Sequence, residues 1–195
     1  MKLGVIFNVP NTIGYFRIGL LVASVFASGP SFVALYGLSS LLDFFDGHFA
    51  RMLNQCSLLG SSLDMITDRV STVVISLRII QKRSEYLYFL SLYMVFDLIS
   101  HFIYFHMSAL LGKHHKGTKN RILRIYYDKR VLGPICLLSE VFFMYAYYFG
   151  GKGALLYTLG GITTLKALFH LAQLSEAISS MSDIIVLKNN IQGVD

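Results

Sequence analysis

Apolar residues run through this chain in six long stretches, near 11–28, 32–52, 57–80, 86–111, 131–150 and 154–176. Each approaches or exceeds the roughly 20 residues that an α-helix needs to cross a bilayer at about 1.5 Å rise per residue. The breaks between them are polar or helix-ending: Ser28-Gly29-Pro30-Ser31, Asn54-Gln55, Gln81-Lys82-Arg83-Ser84, a basic segment over 113–130, and Gly150-Gly151-Lys152-Gly153. Pro10 and Asn11 mark a helix start, so residues 1–9 are expected to lie along the membrane interface as a short amphipathic entry. The pattern predicts an all-α, polytopic membrane protein of six transmembrane helices, forming one domain over 1–195. No internal repeat or low-complexity tract interrupts it.

Composition supports that class. Of 195 residues, 54% are hydrophobic and only 14% charged, where a soluble domain carries about a quarter. The formal net charge is +6, concentrated between Lys113 and Arg130 in Lys113, Lys116, Lys119, Arg121, Arg124, Lys129 and Arg130. A cytosolic loop obeying the positive-inside rule accounts for this run, and it also suits anionic headgroups or phosphates. The bias of lysine and arginine favours both termini in the cytosol. Arg78, Lys82 and Arg83 then fall on the wrong side as a local exception. Cys56 and Cys136 suggest no disulfide framework. The first residues are too short in apolar length for a usual signal peptide, and IQGVD at the end matches no lipidation signal.

Against this apolar background the segment from Asp43 to Asp68 stands out. It reads D-x-x-D-G-x-x-A-R, eight residues, then G-x-x-x-D-x-x-x-D. Carboxylates are costly in hydrocarbon, so four together need a cation to offset them. Helical spacing puts Asp43, Asp46, Gly47 and Ala50 on one face, with Arg51 beside it. Gly60, Asp64 and Asp68 line the next helix. A short link makes the two helices expected neighbours whose acidic faces meet in a pocket with few protein cations. Dense carboxylate oxygen suits two hard divalent ions, Mg²⁺ or Mn²⁺, which together can clamp a phosphate or pyrophosphate for in-line displacement. Gly47 and Ala50 would let a nucleotide approach the helix backbone, Arg51 could pair with a phosphate, and Gly60 would allow close helix contact. A proton relay or a divalent-cation channel would also use buried acids. Neither gives a reason for Gly47, Ala50, Arg51 and Gly60 at these offsets.

Those eight positions resemble the signature of the CDP-alcohol phosphatidyltransferases. Flanking blocks are similar to the inositol-using members of that family: NTIGYFRI with Asn11, Gly14, Tyr15 and Arg17, then ARMLNQ, LDMITDRVST, DLISH from Asp97 to His101, and LRIYYDKR from Leu123 to Arg130. The likeness extends from residue 11 to about 143, and the loop 112–121 is shorter than in those members. The resemblance implies six transmembrane helices, a homodimer, and a site at the cytosolic face of the endoplasmic reticulum membrane. CDP-diacylglycerol and myo-inositol are the implied substrates, CMP the leaving group, and nucleic acid is no partner.

By the same resemblance, Asp43, Asp46 and Asp64 ligate the divalent ions and Asp68 completes the second metal site. Asp68 also acts as general base on the inositol hydroxyl. Gly47, Ala50 and Arg51 contact the cytidine diphosphate, and Gly60 the packed helix or the cytidine. Arg17, Asp97, His101, Arg124 and Arg130 are candidates for the inositol pocket or polar cavity. Each has a plainer reading too: snorkelling for Arg17, a structural pair for Asp97 and His101, and a solvated basic loop for Arg124 and Arg130. A family member using glycerol 3-phosphate, serine or another lipid as acceptor is the nearest alternative.

Overall fold

The computed structural model describes residues 3–111 and 121–192, so most of the basic loop, from Lys113 to Lys119, lies outside the described residues. Within them every regular element is helical: α1 (Leu3–Ile6), α2 (Val9–Val25), α3 (Gly29–Met52), α4 (Leu58–Lys82), a 3₁₀ turn (Ser84–Tyr86), α5 (Leu87–Leu111), α6 (Arg121–Tyr126), α7 (Lys129–Tyr148) and α8 (Ala154–Gln192). The six long helices match the six apolar stretches, with shifts of a few residues at most ends. The exception is α8, expected to stop at 176, which continues to Gln192. No proline or glycine lies between 177 and 192 to end it.

Among the described residues, length and composition qualify three helices to cross a membrane: Ser84–Met107, Arg130–Tyr148 and Ala154–Ser182. Val9–Val25 is apolar but shorter. The other two, α3 and α4, are long enough at 24 and 25 residues but carry the aspartates. Large apolar side chains such as Phe26, Phe44 and Phe102 are exposed. Such a surface fits lipid better than water, and the chain is an integral membrane protein.

Contacts divide the chain into two units, Met1–Leu87 with Ala146–Gly150, and Tyr88–Tyr145 with Gly151–Asp195. The first is assembled around caps. Asn8 Oδ1 accepts the Asn11 N–H at 2.9 Å and caps α2, which starts at Val9, one residue before the expected Pro10. Gly29 takes a left-handed φ of +56° where the chain turns into α3, a conformation open to glycine at little cost. Asn54, at φ +53°, ends α3, and Ser57 Oγ accepts the Gly60 N–H at 3.0 Å to begin α4.

The cations that broke the charge rule have partners in this unit. Arg78 donates to the carbonyls of Val25 and Ala27 at the end of α2. Arg83 donates to the Phe149 carbonyl at 2.6 Å, and Lys82 sits 4.1 Å from the Tyr147 ring centre. Positive groups at a helix C-terminus satisfy its orphan carbonyls and its dipole. Phe32, Tyr36, Ile75 and Ile79 form the buried core, with the Phe32 ring 4.5 Å from that of Tyr147.

The second unit packs aromatic rings between α5, α6, α7 and α8. Tyr93 meets Phe143 edge-on at 5.5 Å, and Tyr126 stacks on Phe169 at 4.3 Å. Gly160 lies against Phe142, where an added Cβ would come within 3.4 Å of the ring.

Candidate functional site

The four aspartates converge on a cation supplied by α2. Arg17 is 1% exposed. Its Nη1 lies 2.6 Å from Asp46 Oδ2 and 3.2 Å from Asp64 Oδ1, and its Nη2 lies 2.6 Å from Asp43 Oδ1 and 2.7 Å from Asp68 Oδ1. The expected pocket with few protein cations is therefore corrected: a guanidinium stands at its centre. The helix arrangement is corrected with it. Helix α2 packs along α3 and against α4, while α3 and α4 touch little. The acidic faces meet across α2 because Arg17 draws both toward itself.

Backbone contacts hold Arg17 in register. Ser39 Oγ on α3 donates to the Arg17 carbonyl at 3.1 Å, inside a buried patch. A single buried charge in such surroundings costs several kcal/mol, on the order of what a close opposite charge returns. One guanidinium cannot neutralise four carboxylates, and Arg69 Nη2 stands 3.7 Å from Asp68 Oδ2. Snorkelling does not describe Arg17, whose head group is the most enclosed part of the cluster.

Each aspartate meets Arg17 through one oxygen, which leaves a second oxygen on each. Asp43, Asp64 and Asp68 offer ligand atoms within 4.8 Å of one another. Their side chains are partly exposed, at 40%, 49% and 31%. Oxygen donors, surplus negative charge and partial access fit hard divalent cations.

A cleft of about 180 Å³ adjoins the cluster. Asp46, Gly47, Ala50, Arg51, Gly60 and Asp64 all line it, six of the eight signature positions; Asp43 and Asp68 lie one helical turn away, flanking Arg17. The exposed Arg51 folds back over Gly47, where a Cβ would lie 3.3 Å from Arg51 Nη1. At Gly60 a Cβ would come within 2.8 Å of Asn11 Oδ1. Its small size thus serves contact between α4 and α2, not the expected contact between α3 and α4.

Gln55, part of the polar break and the last residue of the ARMLNQ block, also lines the cleft. Its Oε1 accepts the Val9 N–H at 3.1 Å, and its carbonyl accepts from Asn8 Nδ2 at 3.3 Å, tying the α3–α4 turn to the start of α2. Both partners are distant in sequence, so periodicity carried no signal for them.

The remaining candidates lie in the second unit. Asp97 and His101 share a face of α5, with His101 Nδ1 3.6 Å from Asp97 Oδ1. His170 on α8, not singled out beforehand, joins them: its Nδ1 lies 3.3 Å from the same oxygen. Arg124 and Arg130 are exposed, and the Arg130 N–H donates to Asp128 Oδ1 at 2.9 Å. Cys56 and Cys136 are not joined in a disulfide.

Comparison with known proteins agrees with the signature. The family model described as CDP-alcohol phosphatidyltransferase matches residues 7–172. A rat protein named CDP-diacylglycerol–inositol 3-phosphatidyltransferase is 35% identical over 198 residues, covering 96% of this chain and 92% of the relative. The mouse protein of that name is 40% identical over 163 residues, covering 78% and 76%. The human one is 35% identical over 196 residues, covering 89% and 91%. No solved structure matches the chain significantly.

Proposed function

The chain belongs to the CDP-alcohol phosphatidyltransferase family, and from that premise we propose that it moves the phosphatidyl group of CDP-diacylglycerol onto myo-inositol, giving phosphatidylinositol and CMP. The observation that carries the reaction type is the four-aspartate cluster opening onto a cleft lined by Gly47, Ala50, Arg51 and Gly60. The choice of inositol rests on likeness to relatives so named.

Asp43, Asp46, Asp64 and Asp68 would hold two Mg²⁺ or Mn²⁺ ions, which would supply charge stabilisation to the transferring phosphate and its leaving group. The protein's own residues do the rest. Arg51 pairs with a phosphate of the nucleotide, and Gly47 and Ala50 leave its path to the helix clear. The Asp68 carboxylate takes the proton of the inositol hydroxyl. That oxygen bonds to the phosphorus on the diacylglycerol side, and the bond from this phosphorus to the CMP oxygen breaks. Arg17 holds one oxygen of each aspartate, which orients the carboxylates and lowers their mutual repulsion.

The same reading makes 1–195 one phosphatidyltransferase domain of six membrane spans, homodimeric, in the endoplasmic reticulum with the aspartates toward the cytosol. The test supplies purified protein with CDP-diacylglycerol, Mn²⁺ and a panel of alcohols. Phosphatidylinositol and CMP are the expected products. Product from glycerol 3-phosphate or serine but none from inositol would overturn the acceptor, and divalent flux through liposomes without CMP would overturn the reaction.

A further inference from the structure

Helices α5 and α8 build a second polar cluster with a different donor set. Asp97 and His101 stand one turn apart on α5, so their side chains leave the same face, and His170 meets them from α8. Asp97 is 1% exposed and His170 fully enclosed, while the His101 side chain is 22% exposed. Each of the three offers a ligand atom within 4.8 Å of the others.

The spacing is that of a metal's ligands. His170 Nδ1 and Asp97 Oδ1 are 3.3 Å apart, and donors about 2.0–2.1 Å from a tetrahedral ion lie about 3.3 Å from each other. The rings of His101 and His170 meet edge to face at 4.7 Å, with an interplanar angle of 84°. His101 Nδ1 lies 2.8 Å from the Asp97 carbonyl oxygen, so Nδ1–H donates there and Nε2 keeps its lone pair. Metal-binding histidines are oriented by this kind of backbone hydrogen bond.

Two imidazoles and one carboxylate favour a borderline ion such as Zn²⁺ over Mg²⁺, which takes oxygen. We propose that Asp97, His101 and His170 form a site for one transition-metal ion of the zinc class, tying α5 to α8 and separate in chemistry from the aspartate cluster. Asp97 and His101 then serve the metal, not the inositol acceptor.

The experiment measures zinc in the purified full-length protein by elemental mass spectrometry, after dialysis against Mg²⁺ with a weak chelator. About one zinc per chain is expected, held by three protein ligands with a fourth position open to solvent or another donor. His170→Leu should weaken zinc binding at least about 10–100-fold, the loss that follows removal of an outer-shell partner alone. His101→Gln, at the more exposed ring, should do the same while the protein stays monodisperse in size-exclusion chromatography. Asp64→Asn should leave zinc unchanged. Co²⁺ in the wild type should show the intense visible band of a four- or five-coordinate ion, lost in both histidine variants. No zinc in the wild type, or full zinc in a monodisperse His101→Gln, would overturn the site.

Discussion

The polar cluster around Arg17 and the one around Asp97 both interrupt apolar helices, and they differ in donor type, charge balance and access. Arg17 lies among four carboxylates, three of which are 31–49% exposed and meet it through one oxygen each. Asp97 lies between two imidazoles, and only His101 reaches the surface. Surplus negative charge beside an open cleft is suited to ions and substrates that come and go. One carboxylate balanced by two nitrogen donors in a closed setting is suited to an occupant that stays. The difference shows why buried charge alone does not identify a catalytic site: what remains unneutralised, and whether it can be reached, separates the two.

The sharpest way to break this comparison is at the acids. Asp68→Asn should lower CMP release by about 10²–10⁴-fold, the usual contribution of a general base. Asp64→Asn should bring it to background, and both proteins should remain folded by circular dichroism. EDTA should silence the wild type reversibly, with Mn²⁺ restoring turnover. His170→Leu should leave the turnover of its folded fraction unchanged. Near-normal rates in Asp64→Asn would remove the functional distinction between the clusters.

Arg17→Met tests the charge balance. Leaving four aspartates without their guanidinium should cost about 3–5 kcal/mol in divalent-free buffer, read as a lowered midpoint of thermal denaturation. Added Mn²⁺ should raise that midpoint more in the variant than in the wild type, since the ions then meet uncompensated carboxylates. Equal midpoints in divalent-free buffer would show that Arg17 is not the resident counter-ion.

Smaller effects probe the cleft. Gly60→Ala places a methyl 2.8 Å from Asn11 Oδ1 and should destabilise by about 1–3 kcal/mol, as overpacking does. Pairing it with Asn11→Ala should recover part of the loss in the same melting assay. Gly47→Ala meets only the flexible end of Arg51, at 3.3 Å. Its stability should stay within about 0.5 kcal/mol of wild type, while a raised KM for CDP-diacylglycerol would report the displaced Arg51. An unchanged KM would separate Arg51 from the nucleotide.

Much of this architecture was legible in the chain itself, because helical periodicity is local. Runs of apolar residues between polar breaks located all six long helices, and steps of three and four placed Asp43 with Asp46 and Asp64 with Asp68 on shared faces. The eight signature positions carried the family. A cap such as Asn8 to Asn11 is local as well, and the start that Pro10 marks lies one residue from the observed Val9.

Tertiary structure alone decided which faces meet. That α2 and not α3 packs against Gly60, that Arg17 supplies the cation at the centre of four aspartates, and that Arg78 and Arg83 cap carbonyls all depend on pairings across tens of residues. His170 is farther still from Asp97, and nothing in the periodicity of α8 marks it as a partner. Spacing along one helix sets the direction of a side chain; the opposite charge or donor it meets is chosen when helices pack, where burying an unmatched group costs too much to persist.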